Sequence, residues 1–553
     1  MPATWSPESA LSDALYASIP DILDSQRENG QFGSEPWICR DQHSIFPLAA
    51  AWMFNDSPFH GNDRLLQAIV RGGDALIEAQ DENGMWTFLK KDYSTWGQIY
   101  MPWTYSRWIR AFQIVREAMD PDSRARWEQA LLLGFEGIAR TTLDRIHNIP
   151  THHAMALYCA GMVFKREDWC TQARDFIHKV AEAQSPFGWW TENVGPIVAY
   201  NYVYSDAIGV YYKLSGDVTV LGTLDRAARY HANYVYPDGS AVETVDERNT
   251  YAPGIRLGNP GFSYSTIGRG YLARQHRLLL ESGETFDVDY ATNLLLYAGE
   301  GPTEETPCDA GDHAHRMGDS ALIVAKTPWF TSLSAYTCPI NENRFRQDRQ
   351  NLVSLFHERT GLIVGGGNTK LQPRWSTFAF GDPSLMAHRR GDEDPNFGPF
   401  EGLVHIPVRG EIRPDNRTPT LLLNYGAGTG TVRVLTETDD RARLIYQAVS
   451  ESDLPARAHI TLIAHPGERV LLSDSEGIVL GSGNVQREGE DGLWVTHHGW
   501  RIALPEGSRL LWPALPHNPY RKAGDATFEE GRLAIELSFD KDRTEFDIEL
   551  QII

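Results

Sequence analysis

The segment H-N-I-P-T-H-H, residues 147–153, brings together side chains that suit acid–base chemistry. Its Pro-Thr pair is typical of a helix start, with Thr151 as the expected N-cap, so His152 and His153 would occupy the first turn. The helix dipole favours neutral imidazole there, and a neutral histidine can act as a general base. The Asn148 amide, one turn earlier, can donate to a carboxylate. The alternative interpretation is one solvated histidine and one packed in the core.

A second stretch, W-W-T-E-N-V-G-P-I-V-A-Y-N-Y-V-Y, begins with Trp189 and Trp190 and carries Glu192 in a glycine-bracketed loop. Tyr200 and Tyr204 follow at i and i+4, on one face of the next predicted helix. A tyrosine at a cleft can give or take a proton when neighbouring cations lower its pKa. The alternative is that these tyrosine rings are core residues.

A third stretch, Y-P-D-G-S-A-V-E-T-V-D-E-R-N-T-Y, offers Glu243, Asp246, Arg248 and Tyr251 on one long loop, and Arg256 follows closely. Arg248 supplies a local positive charge in a strongly acidic chain. Long polar loops at the ends of helices often carry function, although a solvated loop has the same composition.

The segment C-D-A-G-D-H-A-H-R-M-G-D contains His313 and His315 among three aspartates. These residue types suit zinc or a harder cation, and H-x-H on a strand directs both rings to one face. No complete ligand spacing stands out. We therefore expect a structural polar turn with no metal, and keep these histidines as weak candidates for a structural divalent ion.

A glycine triplet at 365–367 precedes Trp375. The triplet indicates a hairpin or bulge, because no helix follows it as in a phosphate loop. Trp375 would line a cleft if the C-terminal part of the chain packed against the helices.

Two periodicities divide the chain into the elements that must position these residues. Helical spacing runs to about residue 298 and predicts roughly twelve helices, whereas strand-like alternation begins near residue 320. The predicted organisation is α+β and multidomain. It comprises an (α/α) toroid of about six helix pairs over 1–298, a linker over 299–319 and a large antiparallel β-sandwich over 320–553.

A repeat of turns supports the toroid. Gly30, Gly84, Gly188 and Gly239 each follow a predicted helix end, at intervals of 54, 104 and 51 residues. A period of about 50 residues suits one antiparallel helix pair, and about six pairs favour a closed ring over an open solenoid. The turns would then share one rim, and the period places residues 147–153 at that rim as well.

Composition disfavours several classes of partner and a membrane-spanning segment. The net charge of −22, from 51 Lys plus Arg against 73 Asp plus Glu, disfavours nucleic-acid and anionic-membrane partners. Five cysteines without a C-x-x-C motif indicate reduced thiols, and no apolar run approaches the ~20 residues of a membrane span. The start MPATWSPESALSDAL shows no secretory signal, so a cytoplasmic protein is expected, or a periplasmic or secreted one if a signal was removed.

A helical toroid followed by a β-sandwich, with these motifs, resembles the heparinase II/III-type polysaccharide lyases and the related exolytic alginate lyases. Three patches carry the resemblance, at 148–153, 192–204 and 236–251. The chain departs from the family by having His152 where an asparagine often precedes the histidine. It also lacks a tyrosine directly after Gly-Pro.

The resemblance implies β-elimination at a uronic acid in an oligo- or polysaccharide, without a cofactor. Asn148 with Arg248 would neutralise the carboxylate and stabilise the enolate-like intermediate. His153 or Tyr200 would remove the C5 proton, and Tyr200 would protonate the leaving 4-oxygen. The expected substrate-binding residues are His152, Trp189, Trp190, Glu192, Tyr204, Glu243, Asp246, Tyr251, Arg256 and Trp375.

Two other functions fit the same residues. A glycoside hydrolase such as a glucuronidase would use paired carboxylates, with Glu192 opposite Glu243 or Asp246. A non-catalytic glycan-binding protein would use the aromatic faces alone. The uronate, the linkage, endo or exo action and the oligomeric state stay open at this stage.

Overall fold

The structure is a computed structural model that describes residues 3–386, 388–413, 418–481 and 483–553. The chain divides into two units. The helical unit comprises 1–192, 199–230 and 257–305, and the β-sheet unit comprises 193–198, 231–256 and 306–553. Two short segments of the sequence that carries the helical period, 193–198 and 231–256, thus pack with the strands.

Twelve α-helices occur in the described residues, eleven of them before residue 298, where the periodicity predicts roughly twelve. They are α1 Ser9–Asp24, α2 Ile45–Met53, α3 Asp63–Ala79, α4 Pro102–Val115, α5 Pro121–Thr141, α6 Asn148–Phe164, α7 Glu167–Glu182, α8 Val198–Ser215, α9 Leu221–Asn233, α10 Thr266–Glu281, α11 Val288–Tyr297 and α12 Pro307–Ala310. No described helix combines the length and hydropathy needed to cross a bilayer.

The helices of the helical unit form two layers that close into a ring. Helices α2, α4 and α6 pack side by side and are buried on nearly all faces, whereas α3 and α5 pack together outside them with a polar face. The last helix of this unit, α11, packs against α1 and α2. This contact closes the ring, so the predicted (α/α) toroid is confirmed and the open solenoid is not.

The repeated glycines have a common steric reason. Gly30 and Gly188 adopt φ values of +81° and +95°, which favour glycine. A Cβ atom at Gly30 would lie 2.2 Å from the Arg71 carbonyl oxygen, and one at Gly188 would lie 2.0 Å from that of Arg226. Each turn therefore packs directly against the backbone of a following helix, and this contact fixes the position of the turn relative to that helix.

A buried aromatic residue stands two positions after three of the four turn glycines. The indole N–H groups of Trp86 and Trp190 each donate to the carbonyl ten residues earlier, at 3.0 and 2.8 Å. Phe32 stands at the same offset from Gly30, and all three rings are buried. The aromatic residue thus anchors the turn to the helix before it in successive repeats.

Twenty-four strands occur in the described residues. They are β1 Thr4–Trp5, β2 Trp86–Leu89, β3 Thr95–Ile99, β4 Gly301–Pro302, β5 His313–Met317, β6 Ala321–Lys326, β7 Trp329–Ser334, β8 Val353–His357, β9 Gly361–Val364, β10 Phe378–Gly381, β11 Leu403–Val404, β12 Arg409–Ile412, β13 Thr420–Asn424, β14 Gly428–Thr438, β15 Arg441–Ser450, β16 Ala456–Ile463, β17 Arg469–Leu472, β18 Ser475–Val479, β19 Val485–Glu488, β20 Trp494–His497, β21 Trp500–Ala503, β22 Ser508–Ala514, β23 Arg532–Ser538 and β24 Glu545–Ile552.

The β-sheet unit is an antiparallel sandwich of an 11-stranded and a 9-stranded sheet. The larger sheet has the order β19-β22-β23-β16-β9-β8-β7-β6-β5, with β10 and β11 branching from β16, and the smaller has the order β12-β13-β14-β15-β24-β21-β20-β17-β18. Burial alternates along β14, β22 and β24, and one apolar cluster draws residues from both sheets. The predicted β-sandwich is confirmed.

Candidate active site

Helix α6 begins one turn earlier than the sequence predicts. Its first residue is Asn148, and His147 is the N-cap with extended backbone angles. The expected N-cap, Thr151, lies inside the helix, where its hydroxyl donates to the His147 carbonyl at 2.7 Å. The Pro-Thr pair can stand in this turn because the first N–H groups of a helix have no intrahelical acceptor. The start of α6 thus presents His147 and Asn148.

A buried carboxylate collects the donors at this helix end. Glu192 accepts from the Asn148 backbone N–H at 3.2 Å, from Asn148 Nδ2 at 3.3 Å and from the Tyr204 hydroxyl at 2.7 Å. His147 Nε2 lies 2.7 Å from Glu192 Oε2. The Glu192 side chain is 1% exposed and that of His147 is 30% exposed. We call His147, Asn148, Glu192 and Tyr204 the Glu192 cluster.

The cluster holds a negative charge at the end of a helix where the dipole stabilises it. Burial and then the Glu192 charge hold the pKa of Tyr204 far above its usual range, so this hydroxyl remains a donor. The Tyr204 ring stacks on Trp190, with centroids 4.8 Å apart. Tyr204 therefore positions the carboxylate and does not exchange protons.

The two histidines expected to act as bases lie in the core. His153 Nε2 is 2.8 Å from the Tyr100 carbonyl oxygen, and burial lowers the pKa of His153 to about 4. His152 Nε2 is 2.9 Å from Ser106 Oγ, and burial, followed by the nearby Arg107 charge, holds the pKa of His152 well below its usual range. Neither ring reaches solvent, because the early start of α6 turns both into the ring of helices. The base role expected for His153 and the substrate contact expected for His152 do not fit this burial.

The remaining predicted residues of the helical unit divide by exposure. Trp190 is fully buried and anchors its turn, so it offers no face to a sugar, contrary to expectation. Trp189 and Tyr200 are partly exposed. Tyr200 stands one turn before Tyr204 on α8, and its role as a proton donor stays a prediction.

Glu243 and Asp246 are structural acceptors in the β-sheet unit. Glu243 accepts from the Tyr236 hydroxyl at 2.8 Å and the Ser354 hydroxyl at 2.5 Å. Asp246 accepts from the backbone N–H groups of Val198, Arg248 and Asn249, at 2.8, 2.8 and 2.7 Å. Burial raises the pKa of both carboxyls. Both side chains are buried, so the substrate contacts expected of them are not supported.

The cationic residues of this unit are more accessible. The partly exposed Arg248 guanidinium lies 5.4 Å from the ring centroids of both Phe345 and Tyr520. Arg256 is exposed, and Tyr251 is partly exposed with its ring 6.3 Å from that of Tyr236. These three predicted residues keep access to a ligand.

Trp375 does not line a cleft as expected. Its indole N–H donates to the Ala514 carbonyl at 3.1 Å, and the Arg532 guanidinium lies 5.0 Å from its ring. Trp375 is buried with Ala514 and Ala534 in a small apolar cluster of the β-sheet unit. Its role there is packing.

Sequence analysis missed a polar network beside the third stretch. Glu247 accepts from Asn193 Nδ2 and from the Val194 N–H, both at 2.8 Å. Arg346 Nε donates to Asn193 Oδ1 at 3.0 Å. The network fixes the segment that directly follows Glu192 in the chain. The adjacent Glu-Asn pair was the available signal, whereas nothing in the sequence points to Arg346.

His313 and His315 lie on β5 and face different aromatic rings. The His313 ring is 6.3 Å from Phe330, and the His315 ring is 5.5 Å from Tyr234. His313 Nδ1 lies 2.7 Å from the Gly311 carbonyl oxygen. The two histidines therefore lie on a strand and not in the polar turn that the sequence analysis expected. In the described residues, these histidines join no group of three metal-ligand side chains with ligand atoms within 4.8 Å.

Comparisons with solved structures identify the architecture. Chondroitin AC lyase from Streptomyces coelicolor A3, in complex with chondroitin sulphate, is similar at a TM-score of 0.56 and 13% identity, over 98% of this chain and 79% of that chain. Heparinase III is similar at 0.54 and 11% identity, over 99% and 85% of the two chains. Paenibacillus xanthan lyase is similar at 0.54 and 12% identity, over 98% and 57%.

No protein-family model matches the chain, and no curated protein matches it at a significant level. At these identities the likeness lies in the fold, which extends over nearly the whole chain. The chain therefore has the helical-toroid and β-sandwich fold of the chondroitin AC lyase and heparinase III structures, as its resemblance to heparinase II/III-type lyases implied.

Proposed function

We propose that this protein is a polysaccharide lyase that cleaves a uronic-acid-containing glycan by β-elimination. The observation that carries the proposal is the Glu192 cluster, in which a partly exposed imidazole is held by a buried carboxylate. The fold shared with chondroitin AC lyase, heparinase III and xanthan lyase supports the same reaction class.

In the proposed mechanism His147 is the base. The Glu192 carboxylate only accepts hydrogen bonds, so it holds the proton of neutral His147 on Nε2 and leaves the lone pair on Nδ1. Nδ1 takes the C5 proton of the uronate. Glu192 then stabilises the imidazolium that forms, as the buried carboxylate does in a catalytic triad.

The other roles in the proposed mechanism concern Asn148, Arg248 and Tyr200. Asn148 is tied to Glu192 through both its backbone N–H and its amide, so it acts as a positioning residue. Arg248 as the partner of the uronate carboxylate stays a prediction; within the β-sheet unit its guanidinium lies beside the Phe345 and Tyr520 rings. Tyr200 remains the predicted acid for the leaving 4-oxygen. The steps as proposed use side chains alone.

The three carboxylates predicted for the hydrolase alternative do not form a usable pair. Glycoside hydrolysis needs one carboxylic acid and one carboxylate that both reach the glycosidic bond. Glu192, Glu243 and Asp246 are each buried and each accept three or more hydrogen bonds from the protein. A carboxylate with its oxygens committed in this way cannot attack or protonate a sugar.

The test is ultraviolet absorbance of the enoate product, read beside a reducing-end assay over uronate-containing glycans that include chondroitin sulphate and xanthan. Elimination predicts that both signals rise together, because only elimination makes a C4–C5 double bond. His147→Ala should abolish both signals, whereas His178→Ala, at a second carboxylate-bound histidine, should leave them unchanged. Reducing ends without absorbance would establish hydrolysis, and glycan binding without either signal would establish a binding protein.

A further inference from the structure

Two tight turns meet at one end of the sandwich. The chain crosses from the larger sheet to the smaller between β16 and β17 through His465-Pro466-Gly467-Glu468. The Glu468 N–H donates to the His465 carbonyl at 3.1 Å, and Gly467 has a φ of +90°. Pro followed by a positive-φ Gly is the signature of a type II turn. This turn sets His465 and Glu468 side by side on a stiff backbone.

The second turn joins β20 to β21. His497 pairs with Trp500, so His498 and Gly499 form a two-residue hairpin loop, with φ values of +41° and +80°. Positive φ at both positions is the type I′ geometry, for which Asn-Gly is the favoured sequence. A histidine stands here in the asparagine position.

His497 ties the two turns together. Its Nε2 accepts from the His465 backbone N–H at 3.1 Å, and its Nδ1 lies 3.0 Å from the Arg469 carbonyl oxygen. Both ring nitrogens are thus committed to backbone groups. His497 is not free to bind a ligand, but it fixes the distance between the residues that flank it.

Three metal-ligating side chains converge between the turns. His498 Nδ1 lies 3.1 and 3.0 Å from the two oxygens of Glu468, and the ligand atoms of His465, Glu468 and His498 all lie within 4.8 Å of one another. In a tetrahedral zinc site, metal–ligand bonds of about 2.0–2.1 Å place ligand atoms about 3.3 Å apart. His498 and Glu468 already have this separation.

We propose that His465, Glu468 and His498 bind a divalent transition-metal ion such as Zn²⁺. Two imidazoles with one carboxylate are the donor set of zinc, nickel, cobalt and copper, whereas calcium and magnesium require oxygen ligands. The His465 and His498 rings are stacked, with centroids 3.5 Å apart, so the His465 ring turns out of the stack to direct a nitrogen to the ion. His465 is partly exposed and the His498 side chain is 36% exposed, which leaves room for this rotation.

The bound ion would act as a clip. It would join the crossover between the sheets to the β20–β21 hairpin, and so stabilise the folded chain against opening at this end. None of its ligands belongs to the Glu192 cluster, and the inference does not depend on the proposed lyase activity.

The test is calorimetric titration of the chelator-treated full chain with ZnCl₂, with MgCl₂ and CaCl₂ as comparison ions, and thermal unfolding in parallel. We expect one zinc ion per chain, a raised unfolding temperature and no response to magnesium or calcium. His498→Asn keeps the residue that the turn favours while removing the imidazole, so this variant should fold. It and Glu468→Gln should each weaken zinc binding at least about tenfold.

The double variant His313→Ala/His315→Ala is the matched control, because it removes the other predicted metal-binding histidines. It should bind zinc as the wild type does. Zinc binding that survives His498→Asn unchanged, that disappears in the control, or that is absent from the wild type would each overturn the proposal.

Discussion

The strongest test of the proposed mechanism is Glu192→Gln. The carboxylate accepts four hydrogen bonds, of which two, from Asn148 N and Tyr204, reach one oxygen and two, from His147 and Asn148 Nδ2, reach the other. A glutamine amide can accept on its oxygen side only. Because the Asn148 backbone N–H can only donate, the amide oxygen would face it and the NH₂ group would face His147 and Asn148 Nδ2. His147 could then pair with this NH₂ group only by turning Nε2 into an acceptor.

That change of tautomer removes the base. With the proton moved to Nδ1, His147 offers no lone pair to the C5 proton. Loss of a general base costs about 10²- to 10⁴-fold in rate. We therefore expect kcat for Glu192→Gln to fall by that factor with little change in KM, because the substitution alters proton transfer and not ground-state binding.

Stability provides the second readout. Two lost hydrogen bonds to a charged group, at about 1.5–3 kcal/mol each, set an upper limit of about 3–6 kcal/mol on the destabilisation. Removing a buried charge offsets part of that loss. The variant should unfold at a lower urea concentration but remain folded in the assay buffer.

The helical unit contains a matched control. His178 Nε2 lies 2.6 Å from Asp217, and the Tyr211 hydroxyl donates to the same carboxylate at 2.8 Å. Asp217→Asn also disturbs a group of a histidine, a carboxylate and a tyrosine, and it should lower stability while leaving kcat unchanged. Initial rates of enoate formation and urea unfolding would be measured for both variants. A folded Glu192→Gln protein within tenfold of wild-type kcat, or an equal loss in Asp217→Asn, would refute the assignment.

Three further outcomes are expected. His147→Gln keeps a side-chain donor for Glu192 but has no imidazole to take the C5 proton, so its rate of enoate formation should fall as far as that of His147→Ala; a rate near that of the wild type would point to another base. Gly188→Ala should destabilise by more than about 3 kcal/mol, since its Cβ meets a carbonyl oxygen at 2.0 Å, whereas Gly97→Ala, with a similar φ and no neighbour within 4 Å, should cost only about 1 kcal/mol in urea unfolding; equal costs would contradict the steric argument. Burial alone would raise the pKa of Glu536, but hydrogen bonding and charge from His459 and neighbouring arginines lower it to about 2. At pH values above its unfolded-state pKa this carboxylate should therefore contribute about 3 kcal/mol to the free energy of unfolding, and the contribution should be lost as the pH falls towards 2. Glu536→Gln should therefore lower the free energy of unfolding at pH 7 but not at pH 2. The same loss at both pH values would contradict the link between the pKa of Glu536 and stability.

The architecture was predictable because each periodicity extends over a long part of the chain. Apolar residues recur every 3.6 positions in one region and every 2 in the other. This spacing shows which face of each element is buried, and so whether the element is a helix or a strand. The glycine period also predicted the turns correctly, because a carbonyl oxygen about 2 Å from a would-be Cβ allows no other residue at Gly30 or Gly188.

The proposed base moves from His153 to His147 because helix α6 begins earlier than its sequence predicts. Capping rules place a helix start at Thr151 because its hydroxyl can satisfy an orphan N–H group. In the structure the Asn148 N–H is satisfied by Glu192, which lies 44 residues away along the chain. A long-range carboxylate thus replaces the local cap, moves the helix start to Asn148 and turns His152 and His153 inward. The H-N-I-P-T-H-H segment alone gives no sign that Glu192 takes the place of the local cap.

The Glu192 cluster and the group around Asp217 each contain a histidine, a carboxylate and a tyrosine. Their differences show why only the Glu192 cluster is assigned to catalysis. Asp217 has a local task, since it accepts from the Thr219 N–H at 3.1 Å and from its hydroxyl at 2.6 Å, and so caps a short turn. Its side chain is 15% exposed, so water screens its charge.

Glu192 has no local task. The donors it holds belong to two helices, 12 and 44 residues distant in the chain, and its side chain is excluded from water while the imidazole it orients remains exposed. Burying a carboxylate costs several kcal/mol, which a structural hydrogen bond between neutral groups would avoid. A charge kept at that cost beside an accessible base is the arrangement that proton abstraction requires, because the carboxylate stabilises the imidazolium only in the reacting state.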